Sequence, residues 1–571
     1  MKNQLVAEIF YQIANLLEIQ SDIPFKSRAY RRAAQLIETL DENIEKITEQ
    51  DKLRSLPGIG EGLAKKIKEI VETGKLEYFE RLKKEIPGSL TTLISIPGVG
   101  PKKASVLYKK LGISTIKQLR EACEKGRLRD LDGFGEITER NIIRGIQMLE
   151  KASGRVLLSV AYEDGNKYLE YLRKMNEIRD VDLAGSLRRM KENIGDIDIL
   201  ASSHKPDEVM EFFVDYPDVK NILLKGSTKT SVVLDDGIQV DLRVVKPESY
   251  GAALQYFTGS KEHNVKLRGI AVRMGLKLSE YGVFKKNTDK YIVGRSEKEV
   301  YNRLGLPLIE PELRENRGEI EAGQKKQLPK LICYDDVKGD FHVHSTWSDG
   351  SDSVEDIAVF AKKQGFSFIG IADHSQSLKV AFGLSGDDVL KKIKEIDKVN
   401  EKMSGFRVFS GTECDIKPDG SLDYSNKILE KFDFVYAAIH SRFKMSKREM
   451  TQRVTRAMEN EYVNILAHPT CRLIGRREPI EIDIEKIIDA ARDTHTFLEI
   501  NAFPDRLDMT DIHIRVAKEK NASFIIGTDA HSIDHLRYIR FGVATARRGW
   551  LEKKDVLNTY SIKEIEKNFS S

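Results

Sequence analysis

Asp196 and Asp198 alternate with Ile197 and Ile199 in Gly195-Asp-Ile-Asp-Ile-Leu200. On a strand this spacing turns both carboxylates to one face and both isoleucines into a core, which commits the stretch to a sheet with one acidic and one buried side. Two acids on one face can hold a divalent cation, and a third acid on an adjacent strand would complete a two-metal site. Gly237-Ile-Gln-Val-Asp-Leu-Arg-Val-Val245 offers that third acid, Asp241, in an apolar and β-branched run. Ahead of the pair, Gly185-Ser186 forms a small-residue turn followed by Arg188 and Arg189, a pattern suited to a phosphate. A solvated edge strand would also carry alternating acids, but the turn, the paired arginines and the third acid together favour metal-assisted phosphoryl transfer.

These residues resemble the nucleotidyltransferases, and specifically the family X DNA polymerases related to DNA polymerase beta. Gly185, Ser186, Arg188 and Arg189 look like the family's glycine-serine motif, and Asp196, Asp198 and Asp241 look like its catalytic aspartates. Tyr256-Phe257-Thr258-Gly259-Ser260 looks like its nucleotide-binding signature, with Asn264 and Arg268 following at the family's spacing. The resemblance implies Mg²⁺ or Mn²⁺ on the three aspartates. It implies a nucleotide held by Gly185, Ser186, Arg189, Tyr256, Phe257, Gly259, Asn264 and Arg268, with Tyr256 and Phe257 beside the sugar.

Towards the N-terminus, Leu56-Pro-Gly58-Ile-Gly60 lies between two helical patterns. Glycines there let a DNA phosphate approach the backbone amides, and the following helix N-terminus favours an anion. Ile96-Pro-Gly98-Val-Gly100 repeats the unit, and Leu131-Asp-Gly133-Phe-Gly135 is a weaker third copy. The window from Pro97 to Arg120 contains Lys102 and Lys103 among its basic residues and no acid. The repeats look like helix-hairpin-helix motifs, which grip the DNA backbone with little sequence preference. The first region also resembles the family's lyase domain, which implies a Schiff-base role for Lys66 and contacts from Lys26, Tyr30 and Arg31 to the 5′ side of a gap. A phosphate-binding lysine on an exposed helix is the plainer reading of Lys66.

Beyond residue 340 the chain holds nine of its eleven histidines. Short β-rich runs there end in His342 and His344, His374, Glu413, His440, His468, and Asp529 with His531, while Asp349 sits in a turn. Ligand-type residues at successive strand ends are the layout of a parallel β/α barrel. His204, His495, His513 and His535 lie outside that pattern and read as packing residues. The pattern resembles the PHP (polymerase and histidinol phosphatase) family, a distorted barrel with a metal cluster for phosphoester hydrolysis. All nine ligand positions are matched, which implies up to three ions of Zn²⁺, Mn²⁺ or Fe²⁺ and an active hydrolase.

With 571 residues the chain should hold several domains, and its formal charge of +4 is too balanced to prove nucleic-acid binding without these local clusters. Four cysteines without CxxC spacing indicate neither a disulfide framework nor a zinc ribbon. The N-terminal segment lacks the features of a secretory signal and no run approaches a membrane span, so a cytoplasmic, nucleoid-associated protein is expected.

The expected fold is multidomain: α-helical helix-hairpin-helix domains over 1–85 and 86–150, an α/β nucleotidyltransferase palm over 151–246 and a nucleotide-closing subdomain over 247–318. A charged run from Pro311 to Pro329 marks a linker, placed over 319–335, which precedes a distorted β/α barrel over 336–571. The expected function is short-gap repair synthesis joined to 3′-5′ exonuclease or phosphoesterase action on DNA ends. The partners would be gapped, nicked or primer-template DNA, dNTPs and other repair proteins. Two further readings are a DNA-end recruitment module with a structural barrel, and a small-molecule phosphatase fused to a polymerase.

Overall fold

The structure is a computed structural model that describes residues 2–569 apart from 21–23, 39–43, 57, 86–88, 95, 97–98, 130, 132 and 153. The chain divides into two compact units, Met1–Ser153 with Gly475–Arg477, and Gly154–Ile474 with Glu478–Ser571.

The first unit is helical. The three Gly-x-Gly turns close in the same way: Ile59 N donates to Leu56 O at 3.1 Å, Val99 N to Ile96 O at 2.9 Å and Phe134 N to Leu131 O at 2.9 Å. The residue between the glycines is buried each time, as Ile59, Val99 and Phe134, so every turn is anchored by one apolar side chain worth about 1.5–3 kcal/mol. Gly58 and Gly133 hold φ of +79° and +81°, which a side chain would strain, while Gly60 and Gly100 cap the helices Glu61–Thr73 and Pro101–Leu111. Gly98 lies outside the described residues. The domains expected over 1–85 and 86–150 share one apolar core running from Val6 to Ile146.

The second unit opens on a five-stranded sheet. Its order is Asp180–Leu183, Asp196–Ser202, Gln239–Val245, Lys229–Leu234 and Val219–Lys225. The alternation around the acidic pair holds, since Ile197 and Ile199 are buried. Next come the helices Tyr250–Thr258 and Lys261–Arg273 and a small antiparallel sheet of Leu276–Ser279, Gly282–Lys285 and Tyr291–Val293.

The stretch expected to be a linker is instead packed. Pro311–Leu313 forms a 3-10 turn and Glu319–Gln324 a helix, with Leu313 and Ile320 in one cluster with Leu331 and Trp550. Its charges are matched across the chain. Arg314 is fully buried and pairs with Glu297 at 2.5 Å, Glu319 with His263 at 2.6 Å, and Glu312 with Arg547 at 2.7 Å. Charge density marked this run as solvated, but paired and hydrogen-bonded charges can be buried.

The barrel consists of seven parallel strands, each beside its successor: Gly339–Val343, Phe368–Ile371, Arg407–Asp415, Phe434–Ala438, Ile465–Leu466, Phe497–Asn501 and Phe524–Gly527. First and last strands meet where Ala530 N donates to His342 O at 3.1 Å and His344 N to Ala530 O at 2.8 Å. Leu507, Phe541 and Ala544 of the barrel join the cluster beneath the five-stranded sheet, so the two share a core. Among the described residues no helix is long and apolar enough to cross a membrane.

Candidate active sites

The strands Asp196–Ser202 and Gln239–Val245 run parallel with Asp198 opposite Asp241 and Asp196 opposite Gln239. This register converts a spacing in sequence into a cluster: carboxylate oxygens of Asp196, Asp198 and Asp241 all lie within 4.8 Å of one another. Burial, then Asp196 and Asp241, push the Asp198 carboxyl up to about 7. Burial and Asp241 raise Asp196 as well. Asp241 goes the other way, because hydrogen bonds from Lys229, Gln239 and Ser231 outweigh its burial. Crowded, desolvated carboxylates of this kind are what a divalent cation relieves, so the residues fit the metal they are expected to hold.

Gly185 closes one side of the cluster. It sits at φ +61°, and a Cβ there would lie 2.1 Å from Oδ2 of Asp198, while Ala184 N donates to Asp198 O at 2.7 Å. The glycine-serine turn is therefore stitched directly to the acidic strand. Beyond it opens a cavity of about 510 Å³ that Gly185, Ser186, Arg189, Tyr256, Phe257, Gly259, Asn264 and Arg268 all line, together with Asp196 and Asp198. Asn264 is fixed by donating to Tyr256 O at 2.7 Å and accepting from Gln255 at 2.7 Å.

Arg188 is the exception among the residues expected at the phosphate. It forks onto Glu297 at 2.9 and 2.7 Å and onto Thr258 Oγ1 at 2.7 Å, away from the cavity lining. Neighbours on a helical turn point about 100° apart, so only one of two consecutive arginines can face a site. Sequence reasoning missed Arg155, Lys191, Arg243 and Lys261, which also line the cavity. Arg243 lay inside the strand run already noted and Lys261 directly follows the nucleotide-binding signature, where the chain departs from the family pattern, whereas Arg155 and Lys191 carry no local signal.

In the barrel all nine expected ligands converge. Glu413 lies 2.9 Å from His468, 3.2 Å from His440, 3.0 Å from His374 and 3.4 Å from His342. Asp529 lies 3.3 Å from His344, and Asp349 lies 3.5 Å from His531 and 3.6 Å from His374. Donor atoms of eight of them form three overlapping groups, His344 with Asp349, His374 and His531, His342 with His344 and Asp529, and His374 with Glu413 and His440, while His468 joins the set through Glu413. His342 Nε2, both nitrogens of His344, His374 Nδ1 and Asp349 Oδ1 are buried without a hydrogen-bond partner. Orphaned imidazole and carboxylate atoms aimed at common points fit metal ions.

A further set of residues orients these ligands. Glu499 holds His342 Nδ1 at 2.5 Å, Asp415 holds His440 Nδ1 at 2.5 Å, and Arg506 lies 3.2 Å from Asp529. Asp373 accepts from Ser345 and Ser348 and pairs with buried Lys392 at 3.2 Å, bracing the loops that present His344 and His374. None of these was singled out from sequence, although Asp415 and Glu499 lie on ligand-bearing or adjoining strands where an i+2 acid could have been noticed. Of the histidines set aside as packing residues, His535 accepts from His531 N at 3.3 Å and so supports the site.

Comparison with known proteins agrees with this geometry. Family models match the chain as a DNA polymerase beta thumb over residues 253–315, as helix-hairpin-helix domains over 1–76 and 90–148, and as a PHP domain over 340–503. A DNA polymerase/3′-5′ exonuclease named PolX from Bacillus subtilis is 40% identical over 568 residues, covering 99% of both chains. The chain belongs to the family X DNA polymerases that carry a PHP domain. DNA polymerase lambda of Arabidopsis thaliana is 27% identical over 346 residues, 54% of this chain and 61% of that protein. A probable phosphatase of Acetivibrio thermocellus is 28% identical over 201 residues, 34% of this chain and 78% of that protein.

In the helical unit of this family X chain, Lys66 is half-buried with its ammonium 5.0 Å from the Tyr78 ring and 5.9 Å from that of Tyr30. Burial lowers its pKa. Arg31 pairs with Glu18 and Asn15 at 3.0 Å, so its guanidinium is already engaged, whereas Lys26 is exposed. Lys102 is exposed beside its hairpin, and Lys103 lies 5.9 Å from the Phe134 ring.

Proposed function

We propose that this polymerase fills short gaps in DNA at the aspartate cluster and removes nucleotides from 3′ ends at the barrel. The register that sets Asp198 opposite Asp241, with Asp196 alongside at the floor of a cavity rimmed by Arg155, Arg189, Lys191 and Arg268, carries the reading. In synthesis the primer 3′-oxygen bonds to the α-phosphorus of a dNTP as the bond to the bridging oxygen breaks, releasing pyrophosphate. Asp196, Asp198 and Asp241 would hold Mg²⁺ or Mn²⁺, which would supply stabilisation of the negative charge that develops in the transfer. The chain's own residues do the rest: Ser186, Arg189 and Arg268 hold the phosphates, and Tyr256 and Phe257 flank the sugar. The Gly-x-Gly hairpins, with Gly58, Gly60, Gly98, Gly100, Lys102 and Lys103, grip the DNA backbone.

At the barrel, water adds to a terminal phosphodiester as the P–O3′ bond breaks, giving a nucleoside 5′-monophosphate and a new 3′-hydroxyl. The nine ligands would hold up to three Zn²⁺, Mn²⁺ or Fe²⁺ ions, which would supply Lewis acidity for that hydrolysis. Lys66, with its lowered pKa and its place beside Tyr30, is the candidate for a 5′-deoxyribose phosphate lyase. Work of this kind belongs in the cytoplasm, at the nucleoid.

A second reading of the barrel, favoured by its likeness to a protein named as a probable phosphatase, is hydrolysis of small phosphomonoesters. The deciding experiment uses gapped primer-template, single-stranded 3′ ends and a small phosphomonoester, with Mg²⁺ and Mn²⁺ compared. Asp198→Ala should abolish extension and keep degradation, and His440→Ala should do the reverse. Parental degradation by His440→Ala would remove the nuclease from the barrel, and turnover of the phosphomonoester alone would favour the second reading.

A further inference from the structure

Arg189 lines the nucleotide cavity but is held in part by the barrel. Its Nε lies 3.0 Å from Glu315 Oε1, and its Nη1 donates to Thr258 O at 2.5 Å. The same Glu315 oxygen lies 3.1 Å from Nη1 of Arg548, which ends the barrel helix Ile539–Arg548 and also donates to the Arg189 carbonyl at 2.7 Å. Arg548 is anchored in turn by Asp511 at 2.5 Å, and Arg317 meets Asp511 at 3.0 Å. The side chains of Arg189, Glu315, Arg548 and Asp511 are all at most 15% exposed, so the network is screened little by solvent.

We propose that Arg548 is a positioning residue for nucleotide binding, acting through Arg189, so that the hydrolytic barrel completes the polymerase's phosphate pocket. This rests on the reading of Arg189 as a phosphate contact. The network sets Arg189, Arg317 and Arg548 against Glu315 and Asp511, three positive charges facing two negative ones. Of these Arg189 lines the cavity, where Arg155, Lys191, Arg243, Lys261 and Arg268 join it against Asp196 and Asp198, a cationic excess that an anionic triphosphate would balance. Arg548 shares the charge of Glu315 and braces the backbone of Arg189. Without it, Glu315 would answer to Arg189 and the more distant Lys191, draw the Arg189 guanidinium into a tighter pair and leave less of it for phosphate. Burial lowers the pKa of Lys191 and Arg548 lowers it further, as expected for a cation held among cations.

The test is steady-state single-nucleotide incorporation on gapped DNA by the full chain, beside degradation of single-stranded 3′ ends. Arg548→Ala should raise KM for the dNTP about tenfold and change kcat by less than about twofold. Degradation should proceed at the parental rate, and Arg548→Lys should restore part of the loss. In an Arg189→Ala background the Arg548→Ala increment should disappear, since the effect passes through Arg189. A lowered melting temperature with an unmoved KM, or increments that simply add in the double variant, would overturn the proposal. Arg548→Gln serves the same test if the alanine variant does not fold. If Arg189→Ala itself leaves KM unmoved, the phosphate reading of Arg189 fails. If it raises KM while the Arg548 variants do not, only the coupling fails.

Discussion

Gly185 and Asp198 are in such close register that a single added methyl would collide: a Cβ on Gly185 would stand 2.1 Å from the Asp198 carboxylate. The positive φ of Gly185 adds backbone strain for any other residue. Gly185→Ala should therefore displace Asp198 or the Ser186 turn by a large fraction of an ångström and lower primer extension by about 100-fold or more. Exonuclease action should be unchanged. Extension rates of the purified variant check this, and near-parental extension would show that the turn does not set the acid's position.

Asp198 also gives the metal-free protein an unusual pH dependence. Its carboxyl is raised to about 7, chiefly by burial, so the folded state binds this proton more tightly than the unfolded chain does. The sign is the reverse of a salt-bridged acid. The contribution is fully stabilising at low pH and is lost as pH rises from the unfolded carboxylate range towards 7. Asp198→Asn should then stabilise the metal-free chain at pH 8 by on the order of a few kcal/mol, and by little at pH 4. Mg²⁺ should raise the parent's melting temperature more steeply at pH 8 than at pH 6, since binding must displace the proton. Melting curves with EDTA and with Mg²⁺ decide it, and a pH-independent difference between parent and variant would refute it.

Glu499 holds His342 Nδ1 at 2.5 Å and accepts from His468 N. Glu499→Gln should loosen two ligands at once and weaken metal retention by about 10–100-fold, with 3′-5′ degradation falling in parallel. Primer extension should be untouched. Metal content after dialysis gives a measure independent of turnover, and full retention would mean that the histidine needs no such support.

Several of these relationships were legible before folding. Period-two alternation alone sends Asp196 and Asp198 to one face and Ile197 and Ile199 to the other, because successive strand side chains must oppose one another. Apolar runs ending in His342, His344, His374, Glu413, His440, His468, Asp529 and His531 likewise specify ligands at one end of a parallel barrel, since every parallel strand presents its C-terminal end on the same side. The Gly-x-Gly turns were readable through their repetition, and even the weak third copy closes with the same hydrogen bond as the first.

What only the tertiary structure decided is which charges meet. Composition and spacing leave Arg188 and Arg189 equivalent, and only the family resemblance favoured Arg189; in the fold one forks onto Glu297 and the other lines the cavity beside the acids. His263 stands in the nucleotide-binding segment but is buried between Glu319 and Tyr301. The run beginning at Pro311 had the composition of a linker, and became a packed element because partners as distant as Arg547 and Arg548 neutralise Glu312 and Glu315. Face and periodicity are properties of consecutive residues, so local sequence encodes them. A long-range polar contact belongs to two positions whose separation is set by the closed barrel and its shared core, and Arg189 and Arg548, 359 positions apart, carry no local trace of theirs.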